Sequence, residues 1–378
     1  MFVAGENSGD QHAARLIEEL QRLEPRIECF GYGGESMEKA GMRLDENLAQ
    51  KLPIIGFTQA FRNLGELKKL LVRAVKLLDH EKPDAVVLVD YPGFNLRVAA
   101  AAKARNIPVI YYISPQIWAW HRERLNTIAA CVTRMLVILP FEEDIYRKAG
   151  VPVTYVGHPL LDQAGSGLKP RKVIIEELEI GPDKTIIGLL PGSREPEIVR
   201  HLPVMLEAAR LILARWPAAE FVLPRASTIS RKLIWKYLPQ FPDVKVRVAE
   251  KDHQAVRAAM DFAICKSGTS TLELALLGVP MIVIYKVSLP TYLLGRMLVR
   301  IKWLGLVNIV ANESVAPELI QSDATPGKIS KSVLKYLRNP AAMSAMKEKL
   351  GRIRAMMGLP GASRRAAREI MGILHPPA

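Results

Sequence analysis

A chain of 378 residues exceeds what one hydrophobic core ordinarily serves, so two domains of roughly 150 to 200 residues are expected. Hydrophobic residues make up 49% and charged residues 24%, which excludes an intrinsically disordered chain, and no apolar run approaches the roughly 18 to 20 residues that span a bilayer. The formal net charge of +14 points to a polyanion, whether nucleic acid, an anionic membrane surface or a phosphorylated substrate, without choosing among them.

The opening MFVAGENSGD has neither a basic n-region nor a long apolar stretch, so no secretory leader is expected and a cytoplasmic location follows. Apolar, β-branched runs then end in turns and lead into helical patterns: MFVAG, DAVVLVD, IPVIYYIS, MLVILPF and VTYVG, followed by TIIGLLPGS, AEFVLPR, VKVRVAE, DFAICKSG and VPMIVIYK. That alternation predicts an α/β protein with two Rossmann-like doubly wound parallel-sheet domains in tandem, facing across a cleft. Gly157–Lys184, rich in Gly, Pro and charge, reads as the interdomain segment. The domains are then 1–165 and 166–344, with helices at about 345–378 packing back on the first domain or on a second copy. Gly358 stops one helical pattern, and Ser363 reads as the N-cap of the last helix. Cys29, Cys131 and Cys265 are widely spaced in or beside apolar segments, which suits buried reduced thiols better than disulfides or a metal site.

Four loops at predicted strand ends carry the residue types of a site. In AGENSGDQH, Gly5, Glu6, Ser8, Gly9 and Asp10 form a glycine loop that opens a helix, where backbone N–H groups can meet an anion or hydroxyl. It lacks both G-x-G-x-x-G and a Walker lysine, and Asp10 or Ser8 could equally be a cap. FGYGGESM, Phe30 to Met37, reads as a weaker loop of the same kind. In DAVVLVDYPGFN, Asp90 ends a buried strand, a position suited to a general base; capping the next helix or bonding Asn95 is the alternative. GLLPGSREPEI offers Gly192, Ser193 and Arg194 for a diphosphate, or else an Arg194 paired with Glu195 or Glu197. CKSGTSTLE places Ser267, Gly268, Thr269 and Ser270 at a helix start, with Glu273 one turn in and suited to ribose hydroxyls.

SPQIWAWH sets Ser114, Gln116, Trp118 and Trp120 at another strand end, as a wall beside Asp90 or as buried packing. No D-x-D pair and no His/Cys cluster has metal-ligand spacing, so neither metal nor cofactor is expected. Leu64–Leu78 and Thr291–Leu306 are amphipathic, leucine-rich and basic, which fits helices packed on a sheet and also contact with anionic lipid.

AGENSGD, VDYPGFN, SPQIWAW, LPFE, VGHPLLD, LLPGSR, SGTSTLE, GLVNI and GASRRAA stand in an order that resembles the lipid-A-disaccharide synthase family over nearly the whole chain. The resemblance implies the glycosyltransferase-B fold and an inverting, metal-independent hexosyl transfer. Donor and acceptor would be UDP-2,3-diacylglucosamine and 2,3-diacylglucosamine 1-phosphate. The products would be UDP and a β-1,6-linked tetraacyl disaccharide 1-phosphate of lipid A biosynthesis. Asp90 then matches the family's proposed base, Arg194 its phosphate-side arginine and Asn308 its essential asparagine; Glu273 is similar to a ribose-binding glutamate of related enzymes. The N-terminal half would bind the acceptor and the C-terminal half the nucleotide. The resemblance also implies a peripheral protein on the inner face of the inner membrane and a homodimer that exchanges C-terminal segments.

Two other readings remain. Another glycosyltransferase-B enzyme or a nucleotide-sugar epimerase would share the second half but not SPQIWAWH and VDYPGFN. A basic nucleic-acid-binding protein is permitted by charge, yet the basic residues are scattered, with no basic tail or zinc spacing, so no nucleic acid is expected as a partner.

Overall fold

The computed structural model describes residues 1–5, 7–48, 64–118, 123–163, 167–298 and 301–375; Glu6 and Trp120 lie outside the described residues. The chain divides into two units, Met1–Asp162 with Leu359–Ala378, and Gln163–Gly358.

The first unit is built on seven strands: β1 (Phe2–Ala4), β2 (Phe30–Gly33), β3 (Arg43–Asn47), β4 (Val86–Val89), β5 (Val109–Tyr112), β6 (Arg134–Val137) and β7 (Val153–Tyr155). They lie in the order β3, β2, β1, β4, β5, β6, β7, and every pairing is parallel. The second unit has six: β8 (Thr185–Leu190), β9 (Ala219–Pro224), β10 (Val246–Ala249), β11 (Phe262–Lys266), β12 (Met281–Tyr285) and β13 (Glu318–Ile320). Their order is β10, β9, β8, β11, β12, β13, again all parallel. In each unit the chain enters at the centre, runs to one edge and returns to build the other half. The direction of winding therefore reverses between β1 and β4, and between β8 and β11, and the loops leaving those strands are the ones a crevice forms between.

The central strands explain the alternation of apolar runs. VVLV of β4 and VIYY of β5 are buried at every residue, as strands covered by helices on both faces must be. The helix Asn7–Leu23 buries Ala13, Leu16, Ile17 and Leu20 at helical spacing. In the helix Leu64–Glu81, Leu70, Ala74 and Leu78 enter the first unit's core, so this amphipathic stretch spends its apolar face on packing.

Three strands were not foreseen. FGYG forms β2 where the sequence suggested only a loop, and RLDEN and ELI form β3 and β13. The last two are edge strands that lack a continuous apolar run, since edge positions stay half-exposed and favour charge.

The helix Pro340–Met356 belongs with the second unit, and only the last helix, Ala362–Leu374, returns to the first, where it packs on Asn7–Leu23. Its N-cap is Gly361, not Ser363. The carboxylate of Asp162 accepts N–H groups of Gly361, Ala362 (3.3 Å) and Ser363 (3.5 Å), and Arg365 donates to the carbonyl of Val156 at 2.8 Å. Cys29 and Cys265 are buried and Cys131 half-buried, all as free thiols, with burial pushing Cys265 up to about 12.

Candidate functional site

β1 and β4 are neighbours with Ala4 opposite Val89, so the glycine loop and Asp90 leave the sheet side by side. The approach is close: a Cβ on Gly5 would lie 2.6 Å from the Tyr91 ring, which is why this position tolerates only hydrogen. Asp90 (φ +49°) and Tyr91 (φ +43°) are both left-handed, and Ile113 (φ +63°) repeats this at the end of the adjacent β5. Non-glycine residues there cost about 1–3 kcal/mol each and persist only where the surroundings dictate them. Here the Asp90 carbonyl accepts the Tyr111 hydroxyl at 2.5 Å and the Asn95 amide at 2.7 Å. Burial first, and the Asp90 carboxylate second, keep the Tyr111 phenol well above its ordinary pKa, so it remains a donor.

Asp10 is 2% exposed and turned inward: Oδ1 accepts N–H groups of Gly34 (2.8 Å) and Met37 (3.1 Å), and Oδ2 that of Ser36 (3.0 Å). Its carboxylate thus caps the short helix Glu35–Lys39, while Ser8 is exposed and Gly9 is buried beneath the loop. His12, just beyond, carries a buried Nδ1 without a hydrogen-bond partner, and burial, then Arg15, lowers its pKa to about 4. His158 from VGHP is lowered to about 3 by burial and by His12.

After β5 the segment reaches Gln116, which is exposed, and turns at Ile117 and Trp118. Ser114 is buried, its hydroxyl donating to Glu142 Oε1 at 2.7 Å, and the half-buried Trp118 ring meets Phe141 edge-on with centroids 5.4 Å apart. Glu142 of LPFE, which sequence reasoning passed over as a site residue, is the hub of this segment.

In the second unit β8 and β11 are neighbours with Leu190 opposite Cys265, so the Gly192–Arg194 and Ser267–Ser270 loops emerge together. Gly192 (φ +126°) allows the Glu197 carboxylate to fold over the turn. Glu197 Oε2 accepts N–H groups of Ser193 (2.9 Å) and Arg194 (3.3 Å), and Oε1 pairs with Lys266 at 2.8 Å; the Arg194 residue itself is exposed. Ser267 is buried and donates to the carbonyl of Leu304 at 2.7 Å, leaving Thr269 and Ser270 to open the helix Thr269–Leu276. Glu273 lies 3.2 Å from Arg257 Nη1.

Asn308 is wholly buried and its amide is fully used. Oδ1 accepts from Val315 (2.8 Å) and Ala316 (2.9 Å), while Nδ2 donates to the carbonyl of Ala316 and to Glu318, both at 2.8 Å. It holds the chain between Leu306–Ala311 and β13 and presents no polar atom to a ligand. Among the described residues no three His, Cys, Asp or Glu side chains group as a metal-ligand set, and no helix is long and apolar enough to cross a membrane.

Two sets of predicted residues are therefore brought together, each within one unit: Gly5, Ser8 and Gly9 beside Asp90, Gln116 and Trp118, and Gly192–Arg194 beside Gly268–Ser270. Asp10, Ser114, Ser267 and Asn308 act through other parts of the protein. Glu142 and Lys266 emerge only from three-dimensional contacts, whereas Asn95 and Glu197, weighed in the sequence as partners of Asp90 and Arg194, do bond their backbones.

A family model described as lipid-A-disaccharide synthetase matches residues 1–369. A lipid-A-disaccharide synthase of Syntrophus aciditrophicus (strain SB) is 45% identical over 369 residues, covering 97% of this chain and 95% of that one. One of Geobacter metallireducens is 40% identical over 374 residues, covering 99% and 97%. Among solved structures, the glycotransferase of kitacinnamycin superposes with a TM-score of 0.67 at 17% identity, covering 99% of this chain and 98% of that one. UDP-GlcNAc 2-epimerase from Neisseria meningitidis gives 0.65 at 15% identity with 98% of each chain covered. At that identity the structural likeness establishes the glycosyltransferase-B fold alone.

Proposed function

The chain belongs to the lipid-A-disaccharide synthetase family, and on that premise we propose that Asp90 and Arg194 are the two chemical ends of its inverting hexosyl transfer. The reaction moves a 2,3-diacylglucosamine unit from its UDP conjugate to the 6-hydroxyl of 2,3-diacylglucosamine 1-phosphate. The acceptor oxygen bonds to the anomeric carbon as the bond to the UDP β-phosphate oxygen breaks, and the proton must leave the attacking hydroxyl. Asp90 takes that proton; Arg194, the Ser193 backbone and the start of the Thr269–Leu276 helix receive the charge on the departing diphosphate. Gly5, Ser8, Gly9, Gln116 and Trp118 form the acceptor side. Asn308 and Asp10 serve as positioning residues, because their polar atoms are committed to backbone groups.

The observation that carries this reading is the pairing of loops at each reversal of strand order, Gly5 with Tyr91 and Gly192–Arg194 with Gly268–Ser270. Radiolabelled transfer with acylated and non-acylated UDP-glucosamine donors tests it. Turnover of the acylated donor alone is expected, and equal turnover of both would sink the substrate assignment. The epimerase reading has only fold-level likeness in its favour.

The lipid substrates call for access to a membrane. Leu289 (66% exposed) and Leu293 (55%) project from the helix Leu289–Leu298 beside Arg296, a pattern suited to shallow contact with an anionic inner-membrane surface. Exchange of the Ala362–Leu374 helix between two copies would reproduce its contacts with Asp162 and Val156 and yield a homodimer.

A further inference from the structure

The Lys266 ammonium ends β11 and sits between the two loops of the second unit. Its Nζ is 2.8 Å from Glu197 Oε1, would lie 3.5 Å from a Cβ on Gly268, and is 5.8 Å from the centroid of the Tyr285 ring. Both members of the ion pair are less than one-fifth exposed, at 18% for Lys266 and 17% for Glu197. The second Glu197 oxygen takes the Ser193 and Arg194 N–H groups. One carboxylate thus occupies two backbone donors and a cation that together have the charge and spacing to hold an oxyanion.

The neighbouring histidine does not compete for this role. His201 Nδ1 bonds the Glu197 carbonyl at 2.8 Å and Nε2 accepts the Lys286 N–H at 3.0 Å, which fixes a neutral tautomer. Burial, and more weakly Lys266, lower its pKa, so it adds no positive charge. Lys266 is then the cation that Glu197 holds on the side of the loop facing Gly268.

We propose that Lys266 is a second cation for the leaving diphosphate of the donor, and that Glu197 is its internal stand-in, holding Lys266 and the Ser193 and Arg194 N–H groups until the diphosphate displaces it. This rests on the assignment of the Gly192–Arg194 loop to the diphosphate. An anion for anion exchange keeps every donor satisfied in both states, whereas an empty loop would leave a part-buried ammonium uncompensated. The displaced carboxylate also opposes UDP, so product release is favoured by the same group.

Calorimetry with UDP and with uridine, which lacks phosphate, tests the proposal. Lys266→Met should weaken UDP about tenfold, as expected for loss of one charge-assisted contact, with Lys266→Arg near wild type and uridine unchanged by either. Glu197→Gln, which retains an acceptor for the Ser193 and Arg194 N–H groups, should bind UDP several-fold more tightly. Unchanged UDP affinity in Lys266→Met, an equal loss for uridine, or weaker UDP binding in Glu197→Gln would overturn it. Arg194→Ala separates the two levels: if it weakens UDP while Lys266→Met does not, only the role of Lys266 fails. If Arg194→Ala leaves UDP unaffected, the loop assignment itself fails.

Discussion

The indole N–H of Trp118 donates to Glu142 Oε1 at 3.1 Å, the same oxygen that accepts the Ser114 hydroxyl at 2.7 Å. Glu142 Oε2 accepts the Leu139 N–H at 3.1 Å, so one carboxylate ties together the loops leaving two adjacent strands, β5 and β6. These donors are neutral, and burial pushes the carboxyl up to about 7 despite them. Replacing Glu142 by Ala strands three donors, each worth roughly 1 kcal/mol or more when left unpaired. Glu142→Ala should lose about 3 kcal/mol in urea unfolding on the same scale. If Trp118 lines the acceptor side, KM for acceptor should rise while kcat changes little.

Three buried groups give the first unit a pH dependence, two of one sign and one of the other. His12 is held at about 4 and His158 at about 3, against 6.5 for an ordinary histidine. Their folded pKa values are depressed, so the unfolded chain binds more protons. The stability from keeping them neutral is complete above pH 6.5 and is lost as pH falls toward 4. Glu142 works in reverse: its carboxyl is raised from 4.5 to about 7, so its contribution is full below 4.5 and fades as pH rises through 7. Urea midpoints measured from pH 4.5 to 7.5 should therefore show a shallower acid limb in His158→Gln and a shallower neutral limb in Glu142→Gln. Parallel profiles for all three proteins would contradict this assignment.

The sheet centres were legible because parallel strands covered on both faces must be apolar throughout, as in VVLV and VIYY. The edges were not: RLDEN has no continuous apolar run to mark it as a strand, and only its pairing with β2 makes it one. The positions of Asp90 and Arg194 could be read because glycine, proline and charge cluster where an apolar run stops. What those neighbours do could not. Asp10 reaches Gly34 24 residues away, Ser114 reaches Glu142 28 away and Glu197 reaches Lys266 69 away, and hydrophobic periodicity carries no signal for such pairs.

Asp90→Asn is the direct test of the base. Asparagine also accepts the left-handed conformation seen at φ +49°, and the contacts to Tyr111 and Asn95 involve the Asp90 carbonyl, which survives the change. The fold should therefore persist, with an unchanged urea midpoint. Transfer should fall by about 10²- to 10⁴-fold, the range for loss of a general base. Near-normal turnover would make Asp90 a structural turn residue.

Asn308→Ala should behave as a stability variant of the second unit. It removes the acceptor for Val315 and Ala316 and the donor to Glu318 in a fully buried position. A loss of about 3 kcal/mol is expected from the unpaired buried groups, a fall of roughly 6–12 °C in the melting midpoint for a domain of this size. Activity measured well below that midpoint should recover more than activity at 37 °C does, a temperature dependence that loss of a substrate contact would not give.

The exposed leucines make the last prediction. Leu289 and Leu293 have no core to fill, whereas the leucines of Leu64–Glu81 that face inward are packed. If the Leu289–Leu298 helix meets lipid, each leucine contributes about 1.5–3 kcal/mol when fully buried, so Leu289→Ser with Leu293→Ser should cut affinity for anionic vesicles by at least about tenfold. UDP binding measured without lipid should not change, because neither leucine lies on the Gly192–Arg194 or Ser267–Ser270 loops. Binding to vesicles of neutral lipid should be weak for wild type and variant alike, since the +14 charge supplies the attraction to an anionic surface. Undiminished binding of the double variant to anionic vesicles would remove this helix from the membrane contact.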